Sequence, residues 1–207
     1  MPSVKVDSSN VVYGETTIES TYSYTKTKAE KQADGSIKVT PSTQQLKFKT
    51  EKNPKKTGMM LVGWGGNNGS TVTAGILANK HNVTWRTKAG EQKPNYFGSI
   101  TQSATMRIGQ ADDFEEIYVP LNSIVPMVSP NDMAIGGWDC SNLNLGEAMK
   151  RAEVLDVALQ DKLYPMMKEM APLPAVFDLD FVAANQSDRA NNIIEGTKKE
   201  KVEKIRK

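Results

Sequence analysis

The stretch that most constrains the fold is residues 59–80, which read MMLVGWGGNNGSTVTAGILANK. It begins with an apolar run as long as a buried strand, continues through clustered glycines, and ends with apolar residues at helical spacing. Ser70 and Thr71 are candidate caps for the start of that helix. A strand, a glycine turn and a helix N-terminus can hold a phosphate, because backbone N–H groups and the helix dipole favour an anion there. The pattern therefore predicts a nucleotide-binding turn.

The glycine spacing departs from the common phosphate-binding fingerprints. The pattern G-x-G-x-x-G requires glycine where Asn68 stands, and Gly69 comes one residue later. A Walker-type loop requires lysine before Ser70, and that place is held by Gly69. The acidic residue that binds ribose about 20 residues further on is missing, because residues 83–90 contain no carboxylate. The residues alone therefore leave open a second interpretation, a tight strand-to-helix turn without a ligand.

Five strings in this chain carry a resemblance to a known family. They are GWGGNNGST at residues 63–71, NYFGSITQ at 95–102, LNSIVPMVSPND at 121–132, GGWD at 136–139 and DFVAANQSDRANN at 180–192. In this order they closely resemble eukaryotic myo-inositol-1-phosphate synthase, also called inositol-3-phosphate synthase. Members of that family are more than twice as long, so the chain is expected to be the N-terminal part of such a protein.

The resemblance implies an α/β fold with a Rossmann-like NAD-binding domain that is incomplete in this chain. Residues 1–56 are expected to form a β-rich segment and linker, and residues 57–207 the first part of the NAD-binding domain. The catalytic and tetramer-forming domain is expected in later sequence. The positions that match the family's NAD contacts are Gly63, Gly65, Gly66, Asn67, Asn68, Gly69, Asp139, Ala175, Val176, Gln186 and Arg189.

Enzymes of this family convert D-glucose 6-phosphate to 1D-myo-inositol 3-phosphate in inositol and phospholipid biosynthesis. They oxidise, enolise, cyclise and reduce the sugar, and NAD is regenerated in each turnover. The resemblance implies this activity and a homotetramer for the full-length protein. It assigns no catalytic residue to this chain, which is expected to be inactive alone. The alternatives are a non-catalytic NAD-binding or regulatory module, and an interaction protein that binds no nucleotide.

The composition of the chain narrows the classes of protein to which it can belong. The chain has 207 residues, 38% hydrophobic, a net charge of +2, one cysteine and one histidine. It has no apolar stretch near the roughly 18 residues of a membrane span and no signal-peptide pattern. We therefore expect a soluble cytoplasmic protein without nucleic-acid, membrane or metal partners. Cys140 is expected to be an inert thiol, and His81 has no catalytic partner nearby in sequence.

The local patterns predict further elements. An Asp34-Gly35 turn is expected between two strands, and an amphipathic helix is expected to begin after Asn142 or Asn144 and to stop or kink at Pro165. The other expected elements are strands at residues 16–24, 36–40, 45–50, 83–85, 116–120 and 133–137, a turn bracketed by Pro172 and Pro174, and a final helix capped by Thr197.

Overall fold

The structure, a computed structural model, describes residues 4–178 and 184–206. The strands are β1 (Val11–Tyr13), β2 (Thr17–Lys31), β3 (Ile37–Glu51), β4 (Gly58–Val62), β5 (Trp85–Thr87), β6 (Gly90–Gln92), β7 (Thr105–Gln110), β8 (Glu116–Pro120), β9 (Ala134–Asp139) and β10 (Leu173–Pro174). The helices are α1 (Asn67–His81), α2 (Ile100–Ser103), α3 (Leu145–Ala152), α4 (Val157–Met167) and α5 (Lys198–Arg206). A 3₁₀-helix spans Ala184–Arg189.

Contacts divide the chain into two compact units. The first contains Met1–Lys55 and Phe97–Met127, and the second contains Lys56–Tyr96 and Val128–Lys207. The sequence predicts a single boundary between residues 56 and 57. The contacts place one boundary a residue earlier and add the β7–β8 hairpin to the first unit.

The first unit is built on a long antiparallel hairpin. Strands β2 and β3 pair along their whole length, and β1 pairs with the start of β2. The turn contains Gly35 at φ 84° and an Asp34 carboxylate that accepts from the Ser36 N–H at 2.9 Å, which confirms the predicted turn. The strands expected at 36–40 and 45–50 are one continuous strand. Pro41 is accommodated within it because β3 is an edge strand, where a missing N–H is tolerated.

The second unit contains a parallel sheet with the strand order β10-β9-β4. Val62 at the end of β4 pairs with Trp138 of β9, and Pro174 at the end of β10 pairs with Asp139 of β9. The carboxyl ends of all three strands therefore meet at one edge of the sheet. In open α/β sheets this edge is where ligands bind. The turn expected between Pro172 and Pro174 is instead strand β10, because its backbone pairs with β9.

Helices α1, α3 and α4 pack together over one face of this sheet. Their shared core contains the following buried residues: Trp64, Ala74, Leu77, Ala78, Leu145, Met149, Leu159, Leu163 and Met167. Leu61 of β4 packs against that core, whereas Met60 and Val62 are 49% and 90% exposed. The expectation of a fully buried strand is therefore wrong for this chain, because the helices of this unit cover one face and alternate residues point to the other.

Two further expectations are corrected. The strand expected at 83–85 begins at Trp85 and pairs antiparallel with β6, so β9 is the neighbour of β4 in the parallel sheet. The long amphipathic helix is two helices, because the chain turns at Glu153, which adopts the left-handed region at φ 52°. Pro165 lies inside the final turn of α4, which continues for two residues to Met167. Of the two residues expected to precede this helix, Asn144 is the one that caps α3, and its side-chain oxygen accepts from the Glu147 N–H at 2.9 Å.

The last helix begins as predicted. The Thr197 hydroxyl accepts from the Glu200 N–H at 3.4 Å, and the Glu200 carboxylate accepts from the Thr197 N–H at 2.7 Å. This reciprocal pair is a capping box. The sequence also has a short apolar run at residues 181–184, and its first three residues lie outside the described residues. Among the described residues, no helix is both long and apolar enough to cross a membrane.

Candidate cofactor-binding site

The glycine turn connects β4 to α1 through a fixed set of backbone bonds. Gly63 adopts φ 80°, a conformation that favours glycine, and its N–H donates to the Trp138 carbonyl at 2.8 Å. The Gly66 N–H then donates to the Gly63 carbonyl at 2.9 Å. These bonds hold the turn against the end of β9 and fix the direction in which the chain enters α1.

Helix α1 begins at Asn67, and its N-cap is Gly66 rather than Ser70 or Thr71. The expected caps are wrong because both lie inside the helix, where the Ser70 hydroxyl donates back to the Gly66 carbonyl at 2.9 Å. No side chain caps the helix, and no acidic residue occupies its first turn. The first N–H groups of a helix have no intrahelical acceptor, and they attract an anion. The exposed Asn67 and Asn68 stand at this uncapped end.

Close contacts require glycine at Gly69 and leave little space for a side chain at Gly65, two of the predicted positions. A Cβ at Gly69 would lie 2.2 Å from the Trp64 carbonyl oxygen, so only glycine lets α1 approach the turn this closely. A Cβ at Gly65 would lie 3.1 Å from Cγ of Asp139, so the turn packs directly on that carboxylate. The turn and the end of β9 therefore form one structure.

Asp139 is 1% exposed at the carboxyl end of β9. Its Oδ1 accepts from the Ser141 N–H at 2.9 Å and lies 3.8 Å from Nη1 of Arg189. Among the described residues, its Oδ2 is buried without a hydrogen-bond partner, as is Arg189 Nη1. Buried polar atoms are nearly always paired. These two atoms therefore suit a site that is completed by a bound polar group.

The segment after residue 183 is tied to the strand ends by Asn192. Its N–H donates to the Cys140 carbonyl at 2.8 Å and its side-chain amide donates to the Asp139 carbonyl at 3.1 Å. In the same segment, Arg189 Nε donates to Gln186 Oε1 at 2.5 Å, which orients the guanidinium. These bonds hold the predicted residues Gln186 and Arg189 beside the glycine turn.

Ala175 and Val176 follow the end of β10, at the same sheet edge. The Ala175 N–H donates to the Asn192 carbonyl at 3.0 Å, and the Ala175 carbonyl accepts from the Ile194 N–H at 2.9 Å. A ligand contact through the Ala175 N–H would have to replace the first of these bonds. Val176 is 46% exposed and is accessible to a ligand.

An open cleft of about 360 Å³ lies at the start of α1. It is lined by four of the predicted residues, Gly66, Asn67, Gln186 and Arg189, and by Arg151. Arg151 stands in the last turn of α3 and donates from Nη2 to the Gly65 carbonyl at 2.8 Å. Sequence reasoning missed it because it lies 86 residues from Gly65 and outside every quoted string.

The residues considered for other chemistry lie apart from any catalytic arrangement. Burial and, next, the negative charge of Asp139 raise the pKa of the Cys140 thiol, which keeps it protonated and weakly nucleophilic. His81 is exposed at the C-terminal end of α1. Within the described part of the chain, no three His, Cys, Asp or Glu side chains group as metal ligands.

A known protein family matches most of the chain. A family model for NAD binding, described as myo-inositol-1-phosphate synthase, matches residues 57–207. The chain belongs to the myo-inositol-1-phosphate synthase family. The resemblance found in the sequence is thereby confirmed, together with the α/β fold class, and the cofactor indicated by the family model is NAD.

Relatives in this family are similar along the full chain. Inositol-3-phosphate synthase of Trypanosoma brucei brucei is 52% identical over 208 residues, which cover 100% of this chain and 39% of the relative. The synthase of Sesamum indicum is 51% identical, over 98% of this chain and 40% of the relative. The crystal structure of inositol-3-phosphate synthase from Caenorhabditis elegans superposes with a TM-score of 0.94 at 48% identity, covering 99% of this chain and 40% of that chain. The chain thus spans about two fifths of the length of these synthases.

Proposed function

We propose that this chain supplies the NAD-binding half-site of an inositol-3-phosphate synthase, and that the whole protein converts D-glucose 6-phosphate to 1D-myo-inositol 3-phosphate. The observation that carries the proposal is the uncapped N-terminus of α1, which opens into a cleft between two arginine side chains. A dinucleotide carries two phosphates between two nucleosides. Backbone N–H groups, a helix dipole and guanidinium groups are what such a diphosphate binds.

The residues present fit NAD. Gly66 and Asn67 would hold the diphosphate at the helix start, and Gln186 would orient Arg189 towards it. Asp139 stands at the end of the strand beside β4, where dinucleotide-binding folds place the acid that accepts from ribose hydroxyls. Its Oδ2, which has no hydrogen-bond partner among the described residues, would accept that bond. Residues 82–133 separate α1 from β9, so this acid comes later in the sequence than about 20 residues after the glycine turn.

NAD supplies reversible hydride acceptance, which lets a sugar phosphate be oxidised and later reduced without net redox change. The residues of this chain bind and orient that cofactor. Glucose 6-phosphate as substrate and the homotetramer are proposed from the family resemblance, and a cytoplasmic location is proposed from the composition. The catalytic domain is expected in later sequence, so we assign the chemical steps outside this chain.

Asp139→Asn is expected to weaken NAD binding about tenfold while leaving the protein folded. The amide keeps an oxygen for the Ser141 N–H but loses the charge that strengthens a hydrogen bond from ribose; such bonds contribute about 1.5–3 kcal/mol. Isothermal titration of the whole protein with NAD measures the change. Asp161→Asn, an exposed carboxylate on α4, is the matched control and should leave the affinity unaltered. A fall in melting temperature with unchanged affinity would show that Asp139 serves only the fold.

The activity is tested by incubating the whole protein with glucose 6-phosphate and NAD and following inositol phosphate by ³¹P NMR. We expect conversion that requires NAD in catalytic amounts and accumulates no NADH. Tight NAD binding without conversion would instead support the non-catalytic module. Failure to bind NAD would contradict the proposal at its first step.

A further inference from the structure

Arg151 is a second cationic group at the cleft, and it lies outside the set of positions that match the family's NAD contacts. It stands in the last turn of α3, where a cation is favoured by the helix dipole, and it is exposed. Its guanidinium is placed by one bond from Nη2 to the Gly65 carbonyl at 2.8 Å. That carbonyl belongs to the glycine turn, so the position of the guanidinium follows the position of the turn.

The cleft has an excess of positive charge. Of the described residues, five line it; none of these is acidic, and two are arginines. The buried Asp139 carboxylate lies 3.8 Å from Nη1 of Arg189 and offsets one of the two positive charges. Partial burial and, next, the positive charge of Arg189 lower the pKa of the Arg151 guanidinium. The remaining guanidinium charge and the helix N-terminus therefore favour an anion in the cleft.

We propose that Arg151 and Arg189 bind the diphosphate of the cofactor from two sides, with Arg151 held in register by the Gly65 carbonyl. The inference rests on the proposed NAD site and adds a contact residue to it. Arginine suits this role because its planar group has several N–H donors, so one nitrogen can donate to a carbonyl while others donate to phosphate oxygens. Lysine has a single nitrogen and cannot make both sets of bonds with the same geometry.

The test compares Arg151→Met with Lys150→Met in the whole protein. Lys150 is the adjacent residue of α3, is exposed, and lies over the Tyr164 ring rather than at the cleft. Each variant is titrated with inorganic diphosphate, ADP, NAD and adenosine. Arg151→Met is expected to weaken diphosphate, ADP and NAD by about ten- to a hundredfold, the effect of losing a charge-assisted contact. Adenosine, which has no phosphate, should change by less than about twofold, and Lys150→Met should resemble the unmodified protein.

Three results would overturn the inference. The first is diphosphate and NAD affinity unchanged in Arg151→Met. The second is an equal loss for adenosine, which would mean that Arg151 only supports the turn. If Arg151→Met does not fold, Arg151→Lys replaces it and should bind diphosphate at least about fivefold more weakly than the unmodified protein. The third result that would overturn the inference is unchanged diphosphate binding in Arg151→Lys. Diphosphate binding that depends on Arg151 in a protein that does not bind NAD would sustain the inference and contradict the proposed function.

Discussion

Gly69→Ala is expected to destabilise the second unit by about 3 kcal/mol or more, the largest stability effect among the glycines of α1. The added Cβ would lie 2.2 Å from the Trp64 carbonyl oxygen and 2.8 Å from Trp64 Cα. Both atoms are backbone, so the helix or the turn must move. Overpacking typically costs about 1–3 kcal/mol, and more when backbone must shift. Alanine recovers only about 1 kcal/mol through its helix propensity.

The matched control is Gly75→Ala in the same helix. Apart from the adjacent residues and the helix's own backbone, no atom of the described residues lies within 4 Å of a Cβ built there, so the substitution should stabilise the protein by about 0.5–1 kcal/mol. Urea unfolding of the two variants of the whole protein gives the comparison. Opposite signs are expected. A Gly69→Ala protein as stable as the original would mean that α1 does not pack this closely on the turn.

Gly66→Val is expected to lower NAD affinity by about a hundredfold or more, equivalent to nearly 3 kcal/mol. Gly66 has φ −73° and ψ 171°, which a valine can adopt, so the effect is steric rather than conformational. The position lines the cleft at the helix start. A branched side chain there occupies the space through which the phosphate reaches the backbone N–H groups. An added Cβ also lies only 3.0 Å from the Gly63 carbonyl oxygen.

Intrinsic fluorescence or calorimetric titration with NAD measures this loss, and the melting temperature reports whether the variant is folded. Gly75→Val is the control, because it adds the same side chain to the same helix at an open position. It should bind NAD normally. Normal NAD affinity in a folded Gly66→Val protein would remove the glycine turn from the diphosphate site.

Local features of this chain were predictable from sequence. The strand, the glycine turn and α1 follow from a short apolar run, a positive-φ glycine at Gly63 and helical periodicity, all of which act over a few residues. The Asp34-Gly35 turn and the capping box at Thr197 follow from side chains that bond their own backbone. The start of α1 was predicted four or five residues too late, because the helix lacks the side-chain cap that such predictions rely on.

Predictions that depended on neighbours in space were less successful. The apolar stripe from Leu145 to Leu163 is compatible with one helix or with two. The residue in the left-handed region that separates α3 from α4 is Glu153, and without a glycine at that position the sequence gives no signal for the break. An apolar run does not reveal whether one face of its strand is covered or both, as the exposure of Val62 shows. The order of the strands in the parallel sheet could not be predicted from the sequence pattern either. The hairpin of β5 and β6 comes before β9 in the chain but does not join that sheet.

The local arrangement for an anion, a glycine turn that leads into an uncapped helix, is encoded in residues 63–69, because the backbone conformation there depends on the residues of the turn. The resemblance added Asp139, Gln186 and Arg189 as candidates. That these residues meet is a consequence of the fold, because the parallel register of β4, β9 and β10 brings three distant strand ends to one edge. It also brought Arg151 to the Gly65 carbonyl across 86 residues, a contact that no local pattern encodes.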